Sequence, residues 1–506
     1  MNTATQRNWN RSVLAAGLLC AFVFIFLVDL VPGNALASRT AAVAIVMALW
    51  WITGALPLAA TALIPLFAFP LLGVMSAGDV AAQFANDTIY LFFGGFMVAL
   101  AMQYWDLHRR IALRLLLLFG VRPGALLLGF MAPTFLISMW ISNTATAMMM
   151  TPIALSIVMK MEEQRHTPEM ARFATGLLLA IAYSASIGGI ATLIGTPPNL
   201  SLVRIFAITF PDAPEIDFVT WFIFAFPLSV SLLLLLWGLL VWRYAPKHGA
   251  LSIDSNVIRE QYAALGKTTC EQWVVLAVFL ALAVLWLTRG NIAIGTLQLT
   301  GWAAFFPNPA YVRDGTVAVA MAVLLFVIPS RAEPGRAILD WKTASQMPWD
   351  ILLLFGGGFA LAQAFSDSGL ALAIGQQLTG LSGYSPLFML VVICLCVTFL
   401  TELTSNAATT EMLLPIMASL GVAMGMHPLF LMVPVTITCS CAFMLPVATP
   451  PNAIVFASGQ IRVAEMARTG LILNLAGVAV VCAFMMLLGT RVFGIAFGAL
   501  PSWAHL

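Results

Sequence analysis

Residues 126–159 read LLLGFMAPTFLISMWISNTATAMMMTPIALSIVM, and residues 397–421 read VTFLTELTSNAATTEMLLPIMASLG. Each stretch is strongly apolar but carries one short polar turn, Ser142-Asn143-Thr144 in the first and Ser405-Asn406-Ala407 in the second. The two turns are offset by 263 residues (405 − 142). A chain that repeats a polar turn inside membrane-like sequence is expected to build one site from two halves.

The composition predicts a polytopic membrane protein with an all-α fold. Of 506 residues, 61% are apolar and only 9% are charged, and the mean hydropathy is +0.98; soluble proteins carry roughly a quarter charged residues. Apolar runs of about 20 residues, enough to span a bilayer, recur along the chain. Eleven spans are predicted, the first being retained and not a cleaved signal peptide: 13–33, 41–57, 58–74, 88–105, 173–208, 218–242, 272–289, 315–330, 350–366, 429–458 and 469–490.

Two further apolar segments, 123–160 and 386–420, are too long for one span and are divided by the polar turns. We expect each to form a re-entrant helical hairpin whose tip lies in protein or in a water-filled cavity. If the N-terminus is cytoplasmic and each hairpin returns to its own side, 18 of the 23 basic residues fall in cytoplasmic segments. This asymmetry follows the positive-inside rule, and it predicts a first hairpin open to the cytoplasm, a second open to the outside and an external C-terminus.

Two shorter segments, 106–119 and 369–381, follow spans that align in the two halves. The first places basic residues on one side and leucines on the other, which is typical of a helix at the membrane interface. The alternative is that both segments simply extend the preceding spans.

The 263-residue offset aligns more than the polar turns. Gly94-Gly95-Phe96 falls on Gly357-Gly358-Phe359, and Pro152-Ile153 falls on Pro415-Ile416. Because the charge pattern orients the two copies oppositely, an inverted repeat of the kind found in secondary transporters is predicted.

A second paired motif follows each hairpin, at an offset of 253 residues (450 − 197): residues 195–199 read GTPPN and residues 448–452 read ATPPN. Two consecutive prolines remove two backbone donors and break a helix. The freed carbonyl groups suit a cation such as Na⁺, and the positive helix N-termini suit an anion.

The polar turns supply uncharged donors and acceptors, and no Lys or Arg lies in either turn or either proline motif. A bound anion would therefore need co-bound cations to offset its desolvation, which indicates cation-coupled anion transport. Glu402 precedes the second turn, whereas its first-half counterpart is Met139. An intramembrane carboxylate is a functional candidate, but Glu402 is equally compatible with the outer mouth or with capping the hairpin turn.

Other classes of function lack support in the sequence. The seven Cys contain no CxxC pair and the five His do not cluster, so neither a disulfide framework nor a zinc site is indicated. We find no nucleophile–base or metal cluster for an enzyme, and no nucleic-acid partner is expected. Hairpins entering from both sides disfavour a continuous channel.

The combination of SNT, TELTSN, GTPPN and ATPPNAIVF resembles the divalent anion/sodium symporter family, which is related to the sodium-coupled di- and tricarboxylate and sulfate carriers. The resemblance covers about residues 40 to 490. It implies a homodimeric elevator-type transporter in a bacterial inner membrane, moving a C4-dicarboxylate such as succinate with Na⁺ as coupling ion. It assigns substrate contacts to Ser142, Asn143, Thr144, Pro197, Ser405, Asn406, Ala407 and Pro450, and two sodium sites to Ser138, Ser142, Asn143 and Gly195 and to Thr401, Thr404, Asn406 and Ala448.

One position departs from the family pattern. Many members have Thr as the third residue of the second turn, where this chain has Ala407. A sodium-independent dicarboxylate exchanger and a citrate or sulfate carrier therefore remain alternatives, and we expect substrate choice to be decided here. The predicted organisation is a scaffold in 1–122 and 211–385, transport halves in 123–210 and 386–460, and a C-terminal helix in 461–506.

Overall fold

The computed structural model describes residues 3–120, 122–164, 167–246, 256–294, 297–378, 380 and 383–504. The regular secondary structure of these residues is almost entirely helical. The all-α expectation needs one correction, because a small antiparallel hairpin pairs strand Ile292–Ile294 (β1) with Leu297–Leu299 (β2) between two of the helices.

Fourteen α-helices precede the β-hairpin among the described residues. They are α1 Thr3–Phe26, α2 Ala35–Thr53, α3 Leu58–Ala62, α4 Ile64–Leu72, α5 Ala77–Gln83, α6 Asp87–Tyr104, α7 Leu107–Leu116, α8 Pro123–Ser138, α9 Asn143–Gln164, α10 Pro168–Ile190, α11 Pro197–Thr209, α12 Phe218–Tyr244, α13 Asn256–Ala264 and α14 Cys270–Leu287.

Ten more α-helices follow the β-hairpin in the described part of the chain. They are α15 Asp314–Val327, α16 Trp341–Ala344, α17 Trp349–Asp367, α18 Leu370–Leu378, α19 Pro386–Thr401, α20 Asn406–Ala423, α21 Leu429–Cys439, α22 Pro450–Phe456, α23 Val463–Phe484 and α24 Thr490–Val492, with a π-helical turn at Met485–Gly489 before the last.

Within the described ranges, seven helical segments are long and apolar enough to cross a membrane: Ala35–Thr53, Ala77–Tyr104, Pro168–Ile190, Phe218–Tyr244, Cys270–Leu287, Trp349–Asp367 and Val463–Val492. The count of eleven spans stays a prediction, because the other candidates are shorter or divided. The predicted span 58–74 is two helices, α3 and α4, which meet at Leu63 with Pro65 in the first turn of the second.

The short helices α7 and α18 are separate elements and not extensions of the preceding helices. Asp106, between α6 and α7, has a left-handed backbone with φ 54°, and Gly369, between α17 and α18, has φ 69°. Both conformations end a helix, so the extension alternative is wrong for both segments.

The interior is built around the two helices that precede the proline motifs. Every residue of α21 is buried, and α10 is buried from Phe173 to its end at Ile190. The two hairpins pack beside them, α8 against α10 and α19 against α21. The polar turns between the hairpin helices are thereby brought next to the broken ends of the central helices.

Aligned glycines allow close helix contacts on either side of this centre. A β-carbon on Gly94 of α6 would overlap the backbone of Ala318 in α15, and one on Gly357 of α17 would overlap the backbone of Ala62 in α3. Small residues at such crossings let helices in a membrane pack tightly.

Candidate functional site

A cavity of about 530 Å³ lies where the two hairpin tips meet the two proline motifs. Both polar turns line it, with residues 195–198 and 448–451 of the proline motifs. All eight residues predicted to contact substrate lie on its wall: Ser142, Asn143, Thr144, Pro197, Ser405, Asn406, Ala407 and Pro450. The structure thus brings together residues that are more than 250 positions apart in sequence.

Four helices begin at this wall: α9 at Asn143, α11 at Pro197, α20 at Asn406 and α22 at Pro450. The aligned peptide dipoles give each helix N-terminus a partial positive charge that favours anions. Because α11 and α22 begin with two prolines, which have no backbone N–H group, direct N–H donors come from the starts of α9 and α20. Among the described lining residues Asp350 is the only one with a charged side chain. The electrostatic attraction for an anion in this cavity therefore comes from helix ends and neutral donors.

The first predicted sodium cluster is a group of closely spaced oxygens behind the first tip. The Ser138 hydroxyl lies 2.6 Å from Asn143 Oδ1 and 2.7 Å from the Ala185 carbonyl oxygen. One hydroxyl proton can serve only one of these acceptors at a time, and surplus oxygens of this kind suit a hard cation. Gly195 lies on the cavity wall close by, whereas Ser138 is fully buried behind it.

The second cluster repeats this arrangement. The Thr401 hydroxyl lies 2.8 Å from Asn406 Oδ1 and 2.8 Å from the Cys439 carbonyl oxygen. Thr404 and Ala448 line the cavity, but the Thr404 hydroxyl is also 2.6 Å from that of Thr409. The residues present fit two Na⁺ ions, and the carbonyl groups of Ala185 and Cys439 join the predicted sets.

The last residue of each proline motif holds the helix break open in the same way in both halves. The Asn199 amide donates to the carbonyl oxygens of Gly189 (3.1 Å) and Thr192 (2.7 Å). The Asn452 amide donates to those of Ala442 (3.1 Å) and Leu445 (3.0 Å). Both side chains are fully buried. The sequence did not suggest a function for these two asparagines, although each directly follows a double proline at a matching position in its half.

Glu402 is held by groups outside its own hairpin turn. Its side chain is buried, with 4% of its surface exposed. Its carboxylate accepts hydrogen bonds from the backbone N–H groups of Phe443 (2.7 Å), Met444 (2.8 Å) and Leu445 (3.0 Å) and from the Asn474 amide (2.7 Å). Glu402 therefore caps the unwound segment before α22, and not its own hairpin turn.

In the first half, neutral groups hold the unwound segment between α10 and α11. The Thr192 hydroxyl donates to the Met139 carbonyl oxygen and accepts from the Gly195 N–H group at 3.1 Å. Met139 is the counterpart of Glu402, so the two halves share a backbone plan but fix it with different chemistry.

The comparisons with known proteins agree with this architecture. The family model described as the sodium:sulfate symporter transmembrane region matches residues 6–495. A sodium-dependent dicarboxylate transporter, SdcS of Staphylococcus saprophyticus, is 42% identical over 98% of this chain and 95% of its own length. Solute carrier family 13 member 2 of Oryctolagus cuniculus is 40% identical over 96% of this chain and 94% of its own length.

Two solved structures share the fold at low sequence identity. MtrF of Neisseria gonorrhoeae, described as one of a class of antimetabolite efflux pumps, aligns with a TM-score of 0.54 and 15% identity over 83% of this chain and 85% of its own. The YdaH transporter of Alcanivorax borkumensis aligns with a TM-score of 0.54 and 12% identity over 82% and 88%. These likenesses concern the fold alone.

Proposed function

Because this chain belongs to the family of the sodium:sulfate symporter transmembrane region, we propose that it carries C4-dicarboxylates such as succinate across a membrane together with two or more Na⁺ ions. It is a membrane transporter and not an enzyme, like its relatives. The name of one relative, a sodium-dependent dicarboxylate transporter, supports the coupling ion and the substrate class. The observation that carries the proposal is a cavity built from two matched tips and two matched helix breaks without a basic residue among its described lining residues.

The proposed binding mode follows from the donors in the cavity. One substrate carboxylate accepts from Ser142-Asn143-Thr144 and the start of α9, and the other accepts from Ser405, Asn406 and the start of α20. The oxygen clusters behind the tips hold Na⁺. Binding of the cations then offsets the negative charge of the substrate, which would otherwise be costly to desolvate.

The proposed orientation places the mouth of the cavity on the cytoplasmic side. Residues 51–54 at the end of α2 and Asp350 at the start of α17 line the cavity, and the distribution of Lys and Arg assigns both of these ends to the cytoplasm. In the proposed elevator cycle, the halves 123–210 and 386–460 move as a unit against a scaffold formed by 1–122 and 211–385. The proposal includes a homodimer, an inverted repeat of eleven spans, a cytoplasmic N-terminus, an external C-terminus and a bacterial inner membrane.

Uptake into proteoliposomes tests the transport proposal. Radiolabelled succinate is expected to accumulate only with an inward Na⁺ gradient, and excess unlabelled dicarboxylate is expected to compete better than citrate or sulfate. Uptake that is independent of the Na⁺ gradient but requires dicarboxylate inside the liposomes would overturn symport in favour of exchange. Stronger competition by citrate or sulfate would overturn the C4 assignment.

The site assignment has its own test in Asn143→Ala and Asn406→Ala. Each change removes the amide oxygen next to Ser138 or Thr401 and a donor from the cavity wall, so each is expected to abolish sodium-driven uptake while the protein stays monodisperse. Asn308→Ala is the matched control, because Asn308 is exposed and makes no side-chain cap. Normal uptake by either tip variant would refute the assignment.

A further inference from the structure

One acidic side chain deep in the protein has no role in the site described above. Glu411 lies on α20, five residues beyond the tip residue Asn406, and it is fully buried. Its Oε1 atom lies 2.5 Å from the Ser201 hydroxyl of α11, and its Oε2 atom has no hydrogen-bond partner in the described part of the chain. A carboxylate buried with a single neutral partner is costly unless it is neutralised.

No cationic side chain among the described residues is placed to neutralise it. The helices packed against α20 are α2, α11, α17, α18, α19 and α21. Their titratable residues are Arg39 on α2, Arg204 on α11, Asp350 and Asp367 on α17, Cys394 and Cys396 on α19, and Cys439 on α21. Arg39 donates a hydrogen bond to the Leu72 carbonyl oxygen, and Arg204 donates one to Gln83 Oε1. Among the described residues, the hydrogen-bond partner of Glu411 is Ser201.

A metal ion would find little room beside the free oxygen. The Oε2 atom packs against Gly358 of α17 so closely that a β-carbon at Gly358 would overlap it. A proton, in contrast, needs no added volume and removes the charge.

The hydrogen bonds around Ser201 also favour a protonated Glu411. The Ser201 hydroxyl lies 3.3 Å from the carbonyl oxygen of Pro197, which lines the cavity. If Glu411 carries a proton, it can donate to Ser201 while Ser201 donates to Pro197, and each proton then has an acceptor. If Glu411 is ionised, Ser201 must turn its proton toward the carboxylate, and the Pro197 carbonyl oxygen loses this donor.

The equivalent positions in the other half carry apolar residues. The 263-residue and 253-residue offsets place Met148 opposite Glu411 and Ile454 opposite Ser201, and α9 packs against α22 as α20 packs against α11. The polar pair of Glu411 and Ser201 is therefore specific to one half of the repeat.

We propose that Glu411 is a proton-binding site, linked through Ser201 to the wall of the substrate cavity, and that transport requires its protonated form. The proton comes from water in the cavity and converts the carboxylate to a neutral carboxyl group. The link to transport rests on the proposed function, whereas the binding of the proton does not.

Infrared spectroscopy of the full-length protein in liposomes tests proton binding directly. The wild type is expected to show the carbonyl band of a protonated carboxyl group at neutral pH, and this band is expected to disappear on alkaline titration and to be absent in Glu411→Gln. Glu402→Gln is the matched control and is expected to keep the band, because the four hydrogen bonds that the Glu402 carboxylate accepts favour its ionised form. A wild type without a titrating band, or an unchanged band in Glu411→Gln, would overturn the proposal.

Uptake as a function of pH tests the link to transport. Between about pH 7 and about pH 9, where buried carboxyl groups titrate and succinate stays a dianion, wild-type uptake is expected to fall several-fold, whereas Glu411→Gln is expected to keep a flat rate. Loss of uptake in a folded Glu411→Gln with retention in Glu411→Asp would show that the charge is needed, and would overturn the proposal. If the wild type transports nothing, the transport proposal fails, and the infrared titration of the wild type still decides the proton site.

Discussion

Replacing Glu402 by glutamine is expected to loosen the unwound segment before α22 without changing the size of the side chain. The carboxylate accepts three backbone N–H groups and the Asn474 amide at 2.7–3.0 Å. A glutamine amide oxygen can keep the partners of Oε1, but its NH₂ group would face the Leu445 N–H group. One hydrogen bond is lost and three become neutral.

The size of the effect follows from these four bonds. A hydrogen bond to a charged group contributes roughly 1.5–3 kcal/mol and a neutral one roughly 0.5–1.5 kcal/mol. After allowance for relaxation of the buried side chain, we expect the local opening free energy to fall by about 2–4 kcal/mol. At about 1.4 kcal/mol per factor of ten, this is an increase of about 30-fold to 1,000-fold in the open population.

Amide hydrogen exchange read by mass spectrometry measures this population. Peptides that contain residues 443–445 are expected to exchange faster in Glu402→Gln by that factor, while peptides that contain residues 192–195 keep their rates because Thr192 holds the first break. Glu465→Gln is the control substitution, since Glu465 pairs with the exposed Arg462 at the start of α23.

The apparent affinity for Na⁺ is expected to weaken in the same variant, because Ala448 belongs to the loosened segment. Exchange at residues 443–445 that stays within about threefold of the wild type would refute the capping role of Glu402, since even the lower estimate of 2 kcal/mol exceeds that change.

Two further changes test other parts of the structure. Gly189→Ala places a β-carbon 2.6 Å from Asn143 Oδ1 and 3.1 Å from the Gly195 carbonyl oxygen, so sodium-driven uptake is expected to fall at least tenfold. Gly238→Ala is the control and is expected to leave uptake unchanged, because no atom of the described residues would contact its β-carbon within 4 Å. Equal rates in both variants would contradict the first oxygen cluster. Burial lowers the pKa of His427 to about 4, and its Nδ1 atom accepts from the Leu429 N–H group at 3.3 Å. Since the unfolded chain takes up this proton near pH 6.5, stability is expected to be lost as the pH falls from about 6.5 to about 4, by at most about 3 kcal/mol. His427→Gln is expected to reduce the drop in Tm between neutral and acidic pH, and an unchanged drop would contradict this explanation.

The sequence predicted well the features that depend on periodic or repeated residues. The breaks at Pro197 and Pro450 and the hairpin turns at Ser142 and Ser405 lie where the motifs indicated, because proline and polar turns act locally on the backbone. The meeting of these motifs around one cavity followed from the repeat and not from any single motif.

The interactions that hold the site together could not be read from the chain. The hydrogen bonds of Glu402 and the contact between Glu411 and Ser201 join positions 41 and 210 residues apart, and neither has a counterpart in the other repeat. The division of 58–74 into α3 and α4 was also missed, because its apolar composition alone is that of one span.

The absence of Lys and Arg from the described cavity lining has a consequence for the response to membrane voltage. A site of this kind brings no permanent positive charge of its own, so a dianion that crosses with two Na⁺ moves no net charge. Each further Na⁺ adds one elementary charge, worth about 2.3 kcal/mol per 100 mV, whereas a neutral Glu411 adds none. The number of Na⁺ ions that cross with each dianion therefore determines whether the membrane potential contributes to substrate accumulation or whether the sodium gradient alone drives it.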